Sequence, residues 1–300
     1  MLLFLVGPLS SQPAADTTHR EPDTSRGVDR RKLTQIVVAE SALYAGSISY
    51  LWFIWYRDKE RVPFHFYDDS KGYLQVDKLG HTFGAYLQSY WGYRWLRSAN
   101  VPKKHALLYG ATLGIVLQTP IEVFDGMYEG WGFSWPDMAA NALGSGIVAG
   151  QALLFDEQVV KMKFSFWRSP YADGANGYLG DSFAESLFLD YNGHTYWLTA
   201  PLGRLTGSRK LPPWLGVSVG YSAGGMFGEF RNRRSYQGQP LPDAARYRQF
   251  LLSLDVDWSR IPTRSRTLRR VFDTLFWLKV PFPALEINSR VGVRGHGVYF

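Results

Sequence analysis

Three short polar signatures set into apolar, glycine-rich sequence constrain this chain more than any other feature. Residues 73–150 run through Asp77-Lys78-Leu79-Gly80-His81, then Glu122-Val123-Phe124-Asp125-Gly126, then a segment carrying Ser134, Asp137 and Asn141. Polar groups in apolar helices are costly to bury unless they are paired. The stretch therefore carries either a ligand or catalytic site or a buried structural network.

The spacing within each signature says what chemistry is within reach. Asp77 and His81 are four residues apart and share one face of a helix. A carboxylate beside an imidazole fixes its tautomer and raises its basicity, which serves general-base work or metal ligation. Glu122 and Asp125 are three apart at the end of a second helix. Ser134 and Asp137 have the spacing of a capping box, with Pro136 in the first turn, and Asn141 lies one turn further on. If these helices pack side by side, His81, Asp77, Glu122, Asp125, Asp137 and Asn141 form the candidate catalytic or binding set. Residues 126–133 would then lie over it. His81, Glu122 and Asp125 are the candidate ligands of a divalent metal. Each residue also has an ordinary reading: Asp77 as a helix cap, Asn141 as a hydrogen-bonding spacer between helices, His81 as a satisfied structural group. Other chemistries are excluded. There is no glycine-rich phosphate loop ending in Lys-Ser/Thr, no nucleophile elbow and no His-Glu-x-x-His helix. The absence of cysteine removes disulfides, thiol nucleophiles, thiolate-bound zinc and an acylated cysteine.

Around this core the chain divides by composition. Residues 1–15 read as a signal segment, an apolar run followed by small residues but without the usual basic start; a plain apolar terminus is the alternative. Residues 16–32 read as a disordered polar linker. Residues 33–155 read as a helical, membrane-associated domain. Its first helix, 33–56, is long enough to span a bilayer, although Gln35, Glu40 and Ser41 suit a bundle helix equally. Further helices are expected at 77–96, 103–124 and 134–155. Small residues four apart (Gly80 and Gly84; Gly110 and Gly114; Ala142, Gly146 and Gly150) would let their backbones approach closely. Residues 156–300 read as an α+β portion with strands near 195–199, 215–221, 250–258 and 284–293. In the third, Leu252, Leu254, Val256 and Trp258 alternate with Ser253, Asp255 and Asp257, the period of a half-buried strand. Residues 263–280 form a basic amphipathic helix, with Arg264, Arg266, Arg269 and Arg270 in its first turns; it suits either a membrane surface or ordinary packing on the domain. The expected fold class is mainly α, a membrane-associated four-helix N-terminal domain with a smaller C-terminal α+β portion of short antiparallel strands. Alternating ten-residue segments are too few for a closed outer-membrane barrel.

Composition narrows the partners. Aromatic residues reach 16%, with 11 Trp, 18 Tyr and 19 Phe, more than a core needs and suited to a lipid–water interface. A mean hydropathy of -0.19 is too low for a protein made only of spanning helices. The net charge of +7 is dispersed apart from residues 260–270, which favours anionic membrane lipid over nucleic acid. Protein partners are not legible.

The three signatures, in their order and spacing over residues 73–150, resemble the YfiM-like predicted periplasmic lipoproteins, domain of unknown function 2279. A more distant similarity, in the Asp-Lys-x-x-His opening and the later Asp-x-x-x-Asn-x-x-Gly, is to VanZ-like membrane proteins. The resemblance implies a helical cell-envelope protein and implies no reaction; the expected place is membrane-associated in the envelope, the periplasmic or outer-membrane side favoured, with the inner membrane as the alternative. The missing cysteine departs from the lipoprotein pattern. Two functional expectations follow. One is a non-enzymatic envelope component whose polar cluster is a structural or binding network. The other is a membrane-associated enzyme acting on lipid or cell-wall precursors. In the second, His81 would be base or metal ligand, Glu122 and Asp125 ligands or acids, and Asp77 the group orienting His81.

Overall fold

The computed structural model describes residues 27–300. The signal segment expected at 1–15 and most of the linker expected at 16–32 lie outside the described residues. The first helix, α1 (Arg30–Trp55), begins where the Asp29 side chain accepts a hydrogen bond from the Lys32 backbone N–H, the usual service of an N-cap aspartate. None of its 26 residues is buried. It touches the rest of the protein along one side, through Leu33 and Ile36 near Ala99 and Val101 and through the Tyr44 hydroxyl, which donates to the Leu117 carbonyl at 2.9 Å. By length and composition, α1 and the segment Lys103–Asp125 are both apolar enough to cross a membrane.

Helix α2 (Val76–Ser98) is the axis on which the other elements pack. Helices α3 (Leu113–Asp125) and α4 (Trp135–Leu154) lie against it, and a π-helical turn at Ala106–Gly110 leads into α3. The contacts are backbone to backbone. A Cβ placed on Gly114 would stand 2.2 Å from the Ala85 carbonyl oxygen, and one on Gly144 would stand 2.1 Å from that of Thr82. Close approach thus runs through Gly144, whereas Gly146 and Gly150, two of the residues expected to do this, face open space. Ser89 on α2 fastens the three helices. Its hydroxyl meets that of Ser145 at 2.9 Å and accepts the Gly114 N–H at 3.0 Å.

The remainder is built on a sheet. Strands β1 (Lys161–Phe166), β2 (His194–Pro201), β3 (Leu215–Gly224), β4 (Tyr247–Val256), β5 (Phe282–Asn288) and β6 (Gly292–Tyr299) pair in sequence order, every pair antiparallel. Between them lie α5 (Phe183–Leu189), α6 (Leu202–Thr206) and α7 (Arg266–Thr274). The Ser182 and Glu185 capping box starts α5, and Ser265 caps α7. One face of the sheet receives α2. Phe83 stacks on Phe164 at 5.6 Å and lies 5.9 Å from Tyr196, and Tyr86, Tyr90, Val148, Met162 and Phe276 join helices and sheet in one core.

The expected fold class is corrected on two points. No membrane-associated four-helix bundle is evident, because α1 buries none of its residues. The protein is mixed α and β, with a six-stranded antiparallel sheet in place of a minor portion of short strands. The sheet is also turned inside out relative to the expected half-buried strand. In β4, Leu252 and Leu254 are 50% and 43% exposed, while Ser253 and Asp255 are 4% and 0% exposed. The inner face is held by ion pairs and hydrogen bonds. Lys163 Nζ lies 2.8 Å from Asp255 Oδ2, with both side chains fully buried, and Thr199 and Ser218 hydroxyls donate to the same oxygen. Lys279 sits 5.0 Å over the Trp197 ring and donates to Ser253 Oγ and to the Leu254 and Val280 carbonyls. Burial pushes its ammonium pKa down to about 8.

The helix contacts make a paired test. Gly144→Ala drives a methyl into the α2 backbone and is expected to destabilise by at least about 1–3 kcal/mol. Gly146→Ala, two residues on and open, gains about 0.5–1 kcal/mol of helix propensity. Thermal melts of the two variants check this; equal melting points would show that α2 and α4 do not meet at Gly144.

Candidate functional site

Three elements bring the polar signatures to one end of the helices. Asp77, Lys78 and His81 occupy the first turns of α2, Glu122 and Asp125 the last turn of α3, and Ser134, Asp137 and Asn141 the start of α4. The turn leading into α2 is unusual. Tyr73, Leu74 and Gln75 all have left-handed backbone conformations, with φ of 43°, 52° and 68°. Such a run costs about 1–2 kcal/mol per residue. It is held from the sheet side: the Tyr73 N–H donates to the Glu229 carbonyl at 2.8 Å, Tyr221 donates to the Leu74 carbonyl, and Arg248 donates to Gln75 Oε1 at 2.8 Å.

Lys78 is the hub. Its Nζ lies 2.7 Å from Asp69 Oδ2, 2.9 Å from Asp77 Oδ2 and 2.7 Å from Asp137 Oδ1. Ser134 links two of these carboxylates. Its hydroxyl donates to Asp69 Oδ1 at 2.5 Å and accepts the Asp137 N–H at 3.0 Å, capping α4. The Tyr191 hydroxyl donates to Asp77 Oδ1 at 3.1 Å. His81 stands between two acids, with Nδ1 3.3 Å from Glu122 Oε1 and Nε2 3.9 Å from Asp137 Oδ1. Asp125 turns the other way and accepts from the Tyr56 hydroxyl at 2.5 Å. Asn141 is fully buried, and neither atom of its amide has a hydrogen-bond partner. His81 Nδ1 and Glu122 Oε1, although within ion-pair distance, are not aligned for a hydrogen bond.

All six residues expected from the sequence therefore reach this region. The expected metal ligands were His81, Glu122 and Asp125. The trio whose ligand atoms lie within 4.8 Å of one another is Asp77, His81 and Asp137. Sequence reasoning did not single out Lys78, Asp69, Tyr56 or Tyr191. Lys78 had a signal, since it adjoins Asp77 and faces the same helix start. Asp69, Tyr56 and Tyr191 come from a loop, a helix end and a distant turn, where no spacing rule connects them to the cluster.

The charges are crowded. Among the described residues, Asp69, Asp77, Glu122, Asp125 and Asp137 have Lys78 and His81 as their neighbouring cations, since burial pushes nearby His194 down to about 4. Burial pushes the carboxyl of Glu122 up to about 8 and those of Asp125 and Asp137 up to about 7. Burial works against protonated His81, but Asp137, Asp77 and Glu122 outweigh it and raise the imidazole to about 9. Burial would likewise raise Asp77, yet His81 and Lys78 hold it below the usual carboxylate range. Lys78 loses by burial and gains more from Asp77 and Asp137, so its ammonium stays protonated.

Glu122, Asp125, Asp137 and His81 all have folded pKa values above their unfolded ones, so folding takes up protons. The stability each contributes is present below its unfolded pKa and is lost as pH rises through the folded one. These four groups should therefore cost the metal-free protein stability as pH rises from about 4 to about 8, against smaller opposite contributions from buried His194 below about pH 6.5 and Lys279 above about pH 8. Glu122→Gln removes one proton from this balance. Its unfolding free energy should fall less steeply between pH 5 and 6.5, by about 1.4 kcal/mol per pH unit. Urea unfolding across that range tests this, and a slope equal to wild type would mean that Glu122 is ionised in the folded protein.

Residues 65–154 match the family described as predicted periplasmic lipoprotein, domain of unknown function 2279. No curated protein and no solved structure matches the chain, and no finding supports the similarity to VanZ-like proteins. The matched residues begin before Asp69 and end at the close of α4, so they hold the whole charged cluster; of the side chains bonded to it, Tyr56 and Tyr191 fall outside. Over this segment the chain is similar to the predicted periplasmic lipoproteins, a similarity consistent with a membrane-associated place in the cell envelope on the periplasmic side.

Proposed function

We infer that this envelope protein is a non-enzymatic binding or structural component, and that its helical segment closes on a divalent cation held by Asp77, His81 and Asp137. One observation carries the reading: Asp77, His81 and Asp137 offer ligand atoms within 4.8 Å of one another, with His81 Nε2 3.9 Å from Asp137 Oδ1 and its Nδ1 3.3 Å from the buried Glu122 carboxylate. A metal-ligating histidine characteristically gives its second ring nitrogen to a carboxylate, which fixes the tautomer. Glu122 stands in that position. One imidazole nitrogen with two carboxylate oxygens suits Zn2+ or a similar borderline divalent ion better than Ca2+. Three further features agree with it. The acids outnumber the two cations beside them, a divalent charge would displace the protons that burial, with the neighbouring carboxylates, favours on Glu122 and Asp137, and the buried Asn141 amide lies one turn from Asp137 with both atoms unpartnered. Lys78 shares the Asp77 and Asp137 carboxylates and bridges them to Asp69, so the ion would brace α2 and α4 alongside a fixed ammonium.

A second reading is a membrane-associated enzyme acting on lipid or cell-wall precursors. It is favoured by the partial exposure of the Asp77 and His81 side chains, and by a three-ligand set, which leaves a coordination position for water or substrate. In that case Asp77, His81 and Asp137 would hold the ion, and Glu122, 3.3 Å from His81 Nδ1, would orient the ring.

Titrating Zn2+ into chelator-treated protein by calorimetry, with elemental mass spectrometry on the product, tests the first reading. About one ion per chain is expected, and none in His81→Ala or Asp137→Asn. An ion at a hundred times its Kd should add about 2.7 kcal/mol to the unfolding free energy. Failure of wild type to bind, or undiminished binding by His81→Ala, would leave the cluster as scaffold alone.

A further inference from the structure

The inverted sheet leaves an apolar surface that the helices do not cover. On its outer face α2 packs over β1 and β2, where Phe83 meets Phe164 and Tyr196. Beyond that seat, Val219 of β3, Phe250, Leu252 and Leu254 of β4, and Leu285 and Ile287 of β5 are all exposed. The register makes them neighbours: Val219 pairs with Leu252, Leu252 with Leu285, and Phe250 with Ile287. Residues alternating with them point inward and are buried, many of them polar, among them Ser218, Ser253, Asp255 and Glu286, beside the apolar Leu251 and Ala284. Apolar side chains outward and ion pairs inward is the arrangement of a sheet that faces lipid rather than water.

Charge identifies the occupant. Pro201 pairs with Gly216, and Leu215 with Val256, so the β2–β3 and β4–β5 connections lie at the same end of the sheet. They expose Lys210, Arg264, Arg266 and Arg270, as well as Arg204 in an ion pair with Glu157, and neither connection has an exposed acidic residue. Helix α7 lies in the second connection and exposes Leu268 and Val271, three residues apart, among these arginines. Basic groups bordering an apolar surface complement a bilayer of anionic lipid. A second copy is a poorer fit. With Leu198 of β2 beside Val219 and Val293 of β6 beside Ile287, the patch spans roughly 14 Å along β4 and about 19 Å across five strands, still short of the ~800 Å2 per partner of a stable interface.

We propose that the uncovered outer face of β3, β4 and β5 lies flat on an anionic bilayer. Its side chains enter the acyl boundary, and the arginine-rich connections engage the headgroups. Lying flat keeps the unpaired edge of the sheet at the interface, where water satisfies its backbone groups; such an edge is not tolerated in the hydrocarbon core. The inference is independent of the cation site, because no residue of that cluster lies on this face.

The chain has no cysteine, so single labels can be placed without background. The full-length protein carries an environment-sensitive fluorophore on Leu252→Cys, on Leu285→Cys or, as control, on Asp58→Cys in the exposed turn after α1. It is reconstituted into vesicles of phosphatidylethanolamine and phosphatidylglycerol with brominated acyl chains. Emission from labels at 252 and 285 should be quenched and that at 58 should not. Quenching at 252 should weaken in phosphatidylcholine vesicles, and an Arg264, Arg266 and Arg270 to Ser triple variant should lose that dependence on anionic lipid. A label at 58 that is quenched while those at 252 and 285 are not would show attachment through α1 with the sheet standing off the bilayer, and would overturn the proposal. Unquenched labels at 252 and 285 overturn the proposal, as does a disulfide joining two copies of the unlabelled Leu252→Cys variant. A circular dichroism melt on each variant verifies folding, and Leu285→Cys gives a second position should Leu252→Cys fail.

Discussion

The ammonium of Lys78 is the interaction on which the helical half depends. A lone buried ammonium is costly, and removing one partner from a buried ion pair typically destabilises by about 3–5 kcal/mol. Here three carboxylates share the charge, and they come from the loop at Asp69, from α2 at Asp77 and from α4 at Asp137. The same contacts therefore set the position of α4 along α2, which the glycine contact between Gly144 and Thr82 requires within a fraction of an ångström. Ser134 couples the two ends of this arrangement, since a single hydroxyl both caps α4 and grips Asp69. Asp137 in the first turn of α4 also meets the positive end of the helix dipole.

The sheet repeats this solution on a different element. Its interior combines the ion pairs of Lys163 with Asp255, Lys161 with Asp257, and Glu286 with His296 with a small apolar cluster of Trp197, Leu251 and Ala284. An interior of this kind contributes specificity more readily than net stability. Further apolar burial has to come from elsewhere, and it comes from the outer face, where α2 and the aromatic residues around Tyr90 and Phe276 close the core. The helices are thus seated on the face that an ordinary sheet would present to solvent, and the part they leave uncovered remains apolar.

Much of the helical half was legible because its polar residues obey helix spacing. Asp77 with His81, Glu122 with Asp125, and Ser134 with Asp137 and Asn141 each mark a helix end, and all three ends meet. The pairing inside the cluster was not legible. Whether Glu122 or Asp137 faces Nε2 of His81 depends on rotamers, and Asp125 is diverted by Tyr56 from a helix 69 residues away. In the sheet, period-two alternation identified β4 but could not say which set faces inward, because the pattern is unchanged when inside and outside are exchanged. Strand β1, Lys161–Phe166, was hidden by two lysines whose inward role depends on Asp255 and Asp257 far along the chain. Strand β6 was hidden by its glycines, and the run read at 284–293 is a strand, a turn at 289–291 and the start of the next.

The two halves are not separable additions. The left-handed turn at Tyr73–Gln75 aims the first residues of α2, and a chain would abandon three strained residues unless their surroundings over-determined them. Those surroundings belong largely to the sheet half: Glu229 and Tyr221 hold the backbone of the turn, Arg248 holds Gln75, and Tyr191 stacks on Tyr73 at 4.4 Å while donating to Asp77. The sheet half therefore sets where Asp77 and Lys78 point. The charged residues of the cluster lie in the family segment, but their geometry is fixed in part from the other half of the chain. Any displacement of β3 and β4, including one imposed by what lies on their outer face, has a direct covalent and hydrogen-bonded route to Lys78.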